Sequence, residues 1–372
     1  MKIIIALDSF KSSLTAVEAC ETVCDAIAGE YPAVKVVLKP MADGGEGTAK
    51  AMLAARGGRW IERKATGPLA DMEVDAGFAW FENHKEALVE MATASGIELL
   101  TPGQLNPMLA TTFGTGQLIK AAAEFGAQKI LLAVGGSATV DCGFGAAMAL
   151  GWEFLDAENK SVGLGGQALQ RVRKIVKPES LKLPPVEVLC DVKNPLCGNE
   201  GAARIFGPQK GATTAMVEEL EKGMLNISDV IKASLGIDIK NIPGTGAAGG
   251  LSAGAMAFMG AKLVSGVETI IKEIQLENEM ADADWIITGE GCFDSQSLKG
   301  KVVSGILDIA KTTKTKIAVL AGSVPLKKDE YQQHGIETAI GCRKDGMTLE
   351  YAIKNGRKLL ATAALEFAKK NI

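Results

Sequence analysis

The stretch that decides the fold is IIIALDSFKSSLTAVEACETVCDAIAGEYPAVKVVL, residues 3–38. It opens on a continuous apolar run, Ile3 to Leu7, as a strand buried on both faces requires. Thr15 with Glu18 three places on forms a capping box, and Val17, Cys20, Val23, Cys24 and Ile27 then recur at helical spacing until Gly29 stops them. After Pro32 the run Val34 to Leu38 supplies a second strand. Strand, helix and strand at this spacing make a parallel β-α-β unit, so the chain starts as an α/β protein.

With 372 residues the chain exceeds the roughly 250–300 at which a single core stops growing, so two domains are expected. The pattern changes style in the middle. Met72, Val74, Ala76, Phe78 and Trp80 alternate with mostly polar residues, Glu82-Asn83-His84-Lys85 turns the chain, and Glu86 to Met91 returns it as an antiparallel hairpin. Further strands are expected at Ile130 to Val134 and Val186 to Leu189. Beyond residue 270 the buried-strand pattern comes back at Trp285-Ile286-Ile287 and Ile317 to Leu320, and an amphipathic helix starts at Thr348. The expected architecture is therefore two unlike α/β domains. Residues 1–65 and 270–372 form a Rossmann- or flavodoxin-like parallel sheet that is discontinuous in sequence, and residues 66–269 form an inserted domain with a mixed sheet.

Composition narrows the function. The net charge is −4 and aromatics make up 5%, so neither a basic field nor a stacking platform for nucleic acid is present. The first apolar run is too short for a signal peptide, and the uncharged stretch Asn241 to Ala261 is rich in Gly and Ala as a close-packed buried helix would be; a cytoplasmic protein without membrane partner is expected. Seven cysteines without a Cys-x-x-Cys pair argue against a disulfide framework or zinc ribbon, and two histidines leave little for a triad. The 43 glycines are far above the usual share of roughly 7%, so many backbone positions turn tightly or admit a close neighbour.

Ligands of open α/β sheets sit beyond the carboxyl ends of strands, which directs attention to the polar clusters there. Asp8-Ser9-Phe10-Lys11 follows the first strand: Lys11 can neutralise an anion and Asp8 can hold Lys11 or a metal, although Ser13 or Thr15 capping a helix explains the loop as well. Asp43-Gly44-Gly45-Glu46-Gly47-Thr48 can turn backbone N–H groups toward a phosphate while Asp43 or Glu46 binds Mg²⁺; a tight turn is the plain alternative. Thr111 to Gly116 and Gly135 to Thr139, with Ser137 and Thr139, are hydroxyl-rich candidates for an anion cradle or for ordinary helix caps. Asp191 follows a strand and precedes Pro195, which makes it the candidate base for a substrate hydroxyl or the start of an Asx turn. Gly289-Glu290-Gly291 and Asp294, with Lys299-Gly300-Lys301 after them, close the set, Glu290 and Asp294 being further candidate metal ligands. Gly244 to Gly249 matches a dinucleotide fingerprint but follows Asn241-Ile242-Pro243 instead of a buried strand, and reads as a close-approach loop; no P-loop exists.

The segments Asp8–Leu14, Pro40–Thr48, Ala110–Gly116, Gly135–Asp141, Asp191–Gly198, Phe206–Gly211, Gly244–Leu251 and Thr288–Lys301, in this order, resemble the signature blocks of the type I glycerate kinases. The resemblance implies phosphorylation of D-glycerate by ATP with Mg²⁺, usually giving 2-phosphoglycerate although other lineages make the 3-phosphate. It also implies a role in glyoxylate or sugar-acid breakdown and a site in the cleft between two α/β domains. Carried onto this chain, Asp191 falls in the block expected to hold the base, and Lys11 and Asp8 join it as catalytic candidates. Ser9, Gly44, Gly45, Gly47, Thr48, Ser137, Thr139, Gly289 and Gly291 are expected on substrate or ATP phosphates, and Asp43, Glu46, Glu290 and Asp294 on the metal. A homo-oligomer is left open. Ser12 and Cys142 stand where glycine is common in the family, and Val140 where asparagine is. The rival readings are a nicotinamide-dependent hydroxy-acid dehydrogenase and a non-catalytic protein that binds small anions.

Overall fold

The computed structural model describes residues 1–298 and 302–372, so Lys299, Gly300 and Lys301 lie outside the described residues. In chain order the strands are β1 Lys2–Leu7, β2 Lys35–Leu38, β3 Arg59–Thr66, β4 Glu73–Phe81, β5 Glu86–Glu90, β6 Lys129–Ala133, β7 Glu153–Leu155, β8 Lys174–Val176, β9 Val186–Leu189, β10 Lys262–Val264, β11 Trp285–Gly289, β12 Lys316–Ala321 and β13 Ile336–Gly341. The chain divides into two compact units. Unit 1 comprises residues 1–43, 50–57 and 266–372, and unit 2 comprises residues 44–49 and 58–265.

Unit 1 carries a fully parallel sheet in the order β13-β12-β11-β1-β2. Ile3, Ile4, Ile5, Ala6 and Leu7 are all 0% exposed, the burial that their unbroken apolar run requires. The helix Ala16–Glu30 is started by the expected box: Glu18 N–H donates to Thr15 Oγ1, and Thr15 N–H donates to Glu18 Oε2. Its Ala19, Cys20, Val23 and Ile27 share one core with Leu360, Ala363 and Phe367 of the helix Gly356–Asn371, and Phe367 meets Trp285 edge-on at 5.1 Å. The expected parallel sheet, discontinuous in sequence, is what the structure shows.

Unit 2 carries a mixed sheet in the order β10-β9-β6-β5-β4-β3, parallel from β10 to β5 and antiparallel from β5 to β3. The β4–β5 hairpin is the one the alternation announces. Strand β3 is an addition: it pairs with β4 over its full length, from Arg59 opposite Trp80 to Thr66 opposite Glu73. This moves the start of the long unit 2 segment to residue 58, ahead of the expected 66, and residues 44–49 also join it. The later boundary falls after Ser265, ahead of the expected 269. Strand β3 hides in the sequence because it is an edge strand with only Ile61 and Ala65 buried, the rest being Arg, Glu, Lys, Trp and Thr. The uncharged stretch before residue 262 forms a 3-10 turn at Ala247–Gly250 and an α-helix over Leu251–Met259. Its Phe258 stands edge-on to Trp152 and Phe154 in the unit 2 core. No helix among the described residues is long and apolar enough to cross a membrane.

Ser12 and Cys142, where the resemblance leads one to expect glycine, both have left-handed backbone, with φ of 63° and 54°. That region costs an L-residue roughly 1–2 kcal/mol, which accounts for glycine there. Ser12 is exposed, so Ser12→Gly is expected to stabilise the protein by about 0.5–1 kcal/mol after the extra entropy of an unfolded glycine is subtracted. Gly249→Ala is expected to cost more than about 2 kcal/mol, because its Cβ would stand 1.9 Å from Thr139 O. Urea unfolding of the two variants checks both signs.

Candidate functional site

In unit 2 the candidate loops gather at the carboxyl ends of parallel strands. Val134 N–H and Gly135 N–H, just after β6, both donate to Gly44 O, at 3.1 and 3.4 Å. A Cβ on Gly135 would lie 2.4 Å from Gly45 Cα, so the two glycine loops touch through backbone alone. Thr48 Oγ1–H donates to Gly45 O at 2.6 Å and closes the turn, while Ala49 N–H donates to Glu90 Oε1 at the end of β5. Glu46 is exposed beside Gly136, and Gly47 has open space around its Cα. Asp191 follows β9 by two residues, and Ser265 follows β10, its parallel neighbour. Ser265 Oγ–H donates to Asp191 Oδ1 at 2.8 Å and so fixes the plane of that carboxylate.

The loop Gly135–Asp141 is held from beneath. Gly136 O accepts from Ile97 N–H at 2.8 Å and Ala138 N–H donates to Ser95 O at 2.9 Å. Asp141, 0% exposed, accepts from Thr112 N–H at 2.8 Å, Thr112 Oγ1–H at 2.9 Å and Gly143 N–H at 3.0 Å. Burial raises its carboxyl pKa against those bonds. The threonines of the Thr111 to Gly116 segment are thus spent inside the fold, Thr115 donating to Ser95 Oγ at 2.8 Å. Thr139, expected on a phosphate, is 0% exposed; its burial places it in the frame of the loop and leaves Ser137, at 9%, as the hydroxyl nearer solvent. The dinucleotide-like segment is packed shut: a Cβ on Gly246 would lie 2.2 Å from Pro195 O and one on Gly249 1.9 Å from Thr139 O. It is the close-approach loop its missing strand implies.

In unit 1 the acids collect at the ends of β1 and β11. These strands pair in parallel with Leu7 opposite Gly289, so Asp8 and Glu290 leave the sheet side by side, and Asp8 N–H donates to Gly289 O at 2.9 Å. Met41 N–H donates to Leu7 O at 2.9 Å, which brings Asp43 to the same edge. The Asp8 carboxyl is pushed up to about 7, by burial first and then by the charges of Asp43 and Glu290, against the 2.6 Å bond from Ser9 N–H and the nearby Lys11 ammonium. Lys11 itself is exposed, and Gly291 lies beside the backbone of Phe10 and Lys11. Two expectations change here. Gly289, expected on a phosphate, is a buried strand residue whose Cβ would strike Leu320 O at 1.7 Å, so close packing is what requires glycine. Asp294, expected on a metal, turns Oδ1 to Gln296 N–H at 2.8 Å and Ser297 N–H at 3.4 Å in an Asx turn.

Burial and then the neighbouring charges of Asp43 and Glu290 raise the pKa of Asp8, and a hard divalent cation relieves such crowding, so the chemistry of this edge fits one. Among the described residues no group of three or more Asp, Glu, His or Cys side chains is placed to hold a metal ion. Mg²⁺ at a nucleotide needs none, since one or two carboxylates and the phosphates commonly hold it.

Two residues escaped the sequence reading. Ser265 carries no motif and is found only through the pairing of β9 with β10. Lys210, in the Phe206–Gly211 block, is 1% exposed, and its Nζ donates to Ser137 Oγ at 2.6 Å and Thr139 O at 2.7 Å. Burial lowers its pKa from 10.5 to about 7, with Asp141 opposing. Between those values the unfolded chain binds a proton that the folded chain has released, so this lysine makes stability rise with pH across that window and adds no slope below it. The wild-type minus Lys210→Met difference in urea-unfolding free energy is expected to climb from pH 7 to pH 10; a flat difference would contradict the buried-lysine linkage.

Comparison with known proteins places this geometry. The glycerate kinase family model matches residues 3–370. Glycerate 2-kinase of Escherichia coli strain K12 is 41% identical over 372 residues, covering 99% of this chain and 97% of its own length. An uncharacterized protein of Synechocystis is 46% identical over 88% of this chain and 87% of its own. The crystal structure of a candidate glycerate kinase 2 from Salmonella typhimurium LT2 superposes with a TM-score of 0.86 at 39% identity, covering 100% of this chain and 98% of that one. A family model that runs almost from end to end, with relatives and a fold that match over the same length, shows that the chain belongs to the glycerate kinase family.

Proposed function

We propose that this protein transfers the γ-phosphoryl group of Mg-ATP to D-glycerate, giving 2-phosphoglycerate, in the cytoplasmic breakdown of glyoxylate or sugar acids. The observation that carries the reading is the family match across residues 3–370, in a chain whose acid- and glycine-bearing loops end parallel strands. Asp191 accepts the proton of the glycerate hydroxyl, and the hydrogen bond that Ser265 Oγ–H donates to its Oδ1 orients the carboxylate for that task. Backbone N–H groups of the Gly44–Gly47 turn and the Ser137 hydroxyl bind anionic oxygens, and Lys11 steadies negative charge. One or two of the carboxylates Asp8, Asp43 and Glu290 would hold Mg²⁺, which when bound would neutralise phosphate charge. The dehydrogenase alternative loses its only support, since the Gly244–Gly249 loop is filled by Pro195 and Thr139 backbone.

The test is ADP release from Mg-ATP with D-glycerate, with L-glycerate and no acceptor as controls, and phosphorus NMR of the product. Release that depends on D-glycerate and a 2-phosphate signal are expected. A 3-phosphate would keep the kinase and reject the position of attack, and no release from folded protein would reject the activity. Asp191→Asn is expected to lower kcat by about 10²–10⁴-fold without a shift in Tm, and Ser265→Ala to lower it less. Near-wild-type turnover of Asp191→Asn would remove it as the base. Lys11→Ala that raised only KM would show uniform binding in place of transition-state stabilisation.

A further inference from the structure

A lysine ammonium is costly to bury, and lysine at a purely packed position is readily replaced by an apolar side chain of similar length. Lys210 is nevertheless 1% exposed, on the short turn Pro208–Lys210. Gly211 ends that turn with its Cα so close to Leu105 that a Cβ would stand 2.5 Å from Leu105 O, so the turn is anchored from the other side too. The Nζ is spent on one loop only, through Ser137 Oγ at 2.6 Å and Thr139 O at 2.7 Å. Whether the group is an ammonium or a neutral amine it carries at least two hydrogens, enough for both bonds.

The direction of the Ser137 bond matters. A hydroxyl has one hydrogen and two lone pairs, and Ser137 Oγ receives the lysine hydrogen on a lone pair. Its own hydrogen is left to donate, and among the described residues it has no acceptor. Donation from Lys210 also polarises that O–H and makes it a stronger donor. The rest of the loop is clamped at Gly136 O and Ala138 N by residues 95–97, so the hydroxyl is aimed by groups that do not move with ligand.

We propose that Lys210 is a positioning residue that holds the Ser137 hydroxyl as a donor to an oxyanion of the substrates, either the glycerate carboxylate or a nucleotide phosphate. The inference rests on the kinase reading for the identity of those ligands. Lys210 acts through Ser137, so removing either should remove the same interaction.

The experiment is a double-mutant cycle with Lys210→Met, Ser137→Ala and the pair, with Ser137→Thr as the variant that keeps a hydroxyl. KM for D-glycerate, KM for ATP and kcat are measured for each, and equilibrium binding of D-glycerate and of ADP is measured by calorimetry on the same proteins. Each single variant is expected to weaken one ligand about tenfold, the pair to be no weaker than the worse single variant within about twofold, and Ser137→Thr to restore most of the loss. An effect confined to D-glycerate assigns the carboxylate, and one confined to the nucleotide assigns the phosphate. Multiplying effects in the pair, or a Lys210→Met variant with a lower Tm and unchanged KM and affinities, would overturn the proposal. Should Lys210→Met not fold, Ser137→Ala with wild-type KM and affinities overturns it alone. If the wild type binds D-glycerate or ADP without transferring phosphate, the kinase reading falls and the binding cycle still decides the role of Lys210; binding of neither ligand rejects both.

Discussion

The constraint on which unit 2 depends is that its loops approach backbone to backbone. Gly135 lies on Gly45, and Gly249 lies on Thr139, at separations no side chain permits. Close approach of main chains concentrates N–H groups, carbonyls and short hydroxyls in a small volume, and such a volume binds charged oxygen well because its donors are fixed before the ligand arrives. Without glycine at these positions the loop after β6 would be pushed away from the turn at residues 44–49 and from the loop that precedes the helix Leu251–Met259. Asp141 and Lys210 hold the same loop as well. One ties the loop to Thr112, before the helix Phe113–Glu124, and the other ties it to the turn Pro208–Lys210.

Unit 1 reaches its chemistry by a different route. Parallel strands in register end together, so residues that follow them are neighbours in space however far apart they are in sequence. Leu7 and Gly289 are register partners, and the acids one residue later, Asp8 and Glu290, inherit that proximity. Burial, and then the charges of Asp43 and Glu290, raise the Asp8 carboxyl to about 7. An assembly of like charges at the end of a sheet is destabilising alone, which is the mark of a place meant to meet positive charge.

What could be read in the sequence was whatever writes itself locally. Strands β1, β6, β9, β11 and β12 are apolar runs, and the helix after Thr15 carries both halves of its cap. Strand β3 was missed because an edge strand exposes most of its residues and its partner appears only in the fold. Asp191 stands out in the sequence as a candidate because it follows an apolar strand and precedes a proline, whereas Ser265 has nothing beside it to mark it and meets Asp191 only because β10 lies against β9. Lys210 looked like any lysine next to a glycine. Glycines were legible as a class but not by role: Gly289 and Gly249 make room for neighbouring backbone, whereas Gly47 faces open space. Ser12 and Cys142 show the reverse case, where a side chain occupies a left-handed position that glycine would fill at no steric cost.

The order of the strands in unit 1 has a consequence for biosynthesis. Strand β1 is central in its sheet, between β2 and β11, yet β2 is made at once and β11 begins at Trp285. A ribosome therefore emits one of the most apolar strands of the chain long before the partner for its second edge exists. Unit 2 lies wholly between them in sequence apart from residues 44–49, and can complete its own sheet while β1 and β2 wait. An open parallel edge made of Ile3, Ile4 and Ile5 is a natural target for chaperones and for wrong pairing. The helix Ala16–Glu30, capped by its own residues, can cover one face of that strand early, which leaves the open edge as the part still to be paired.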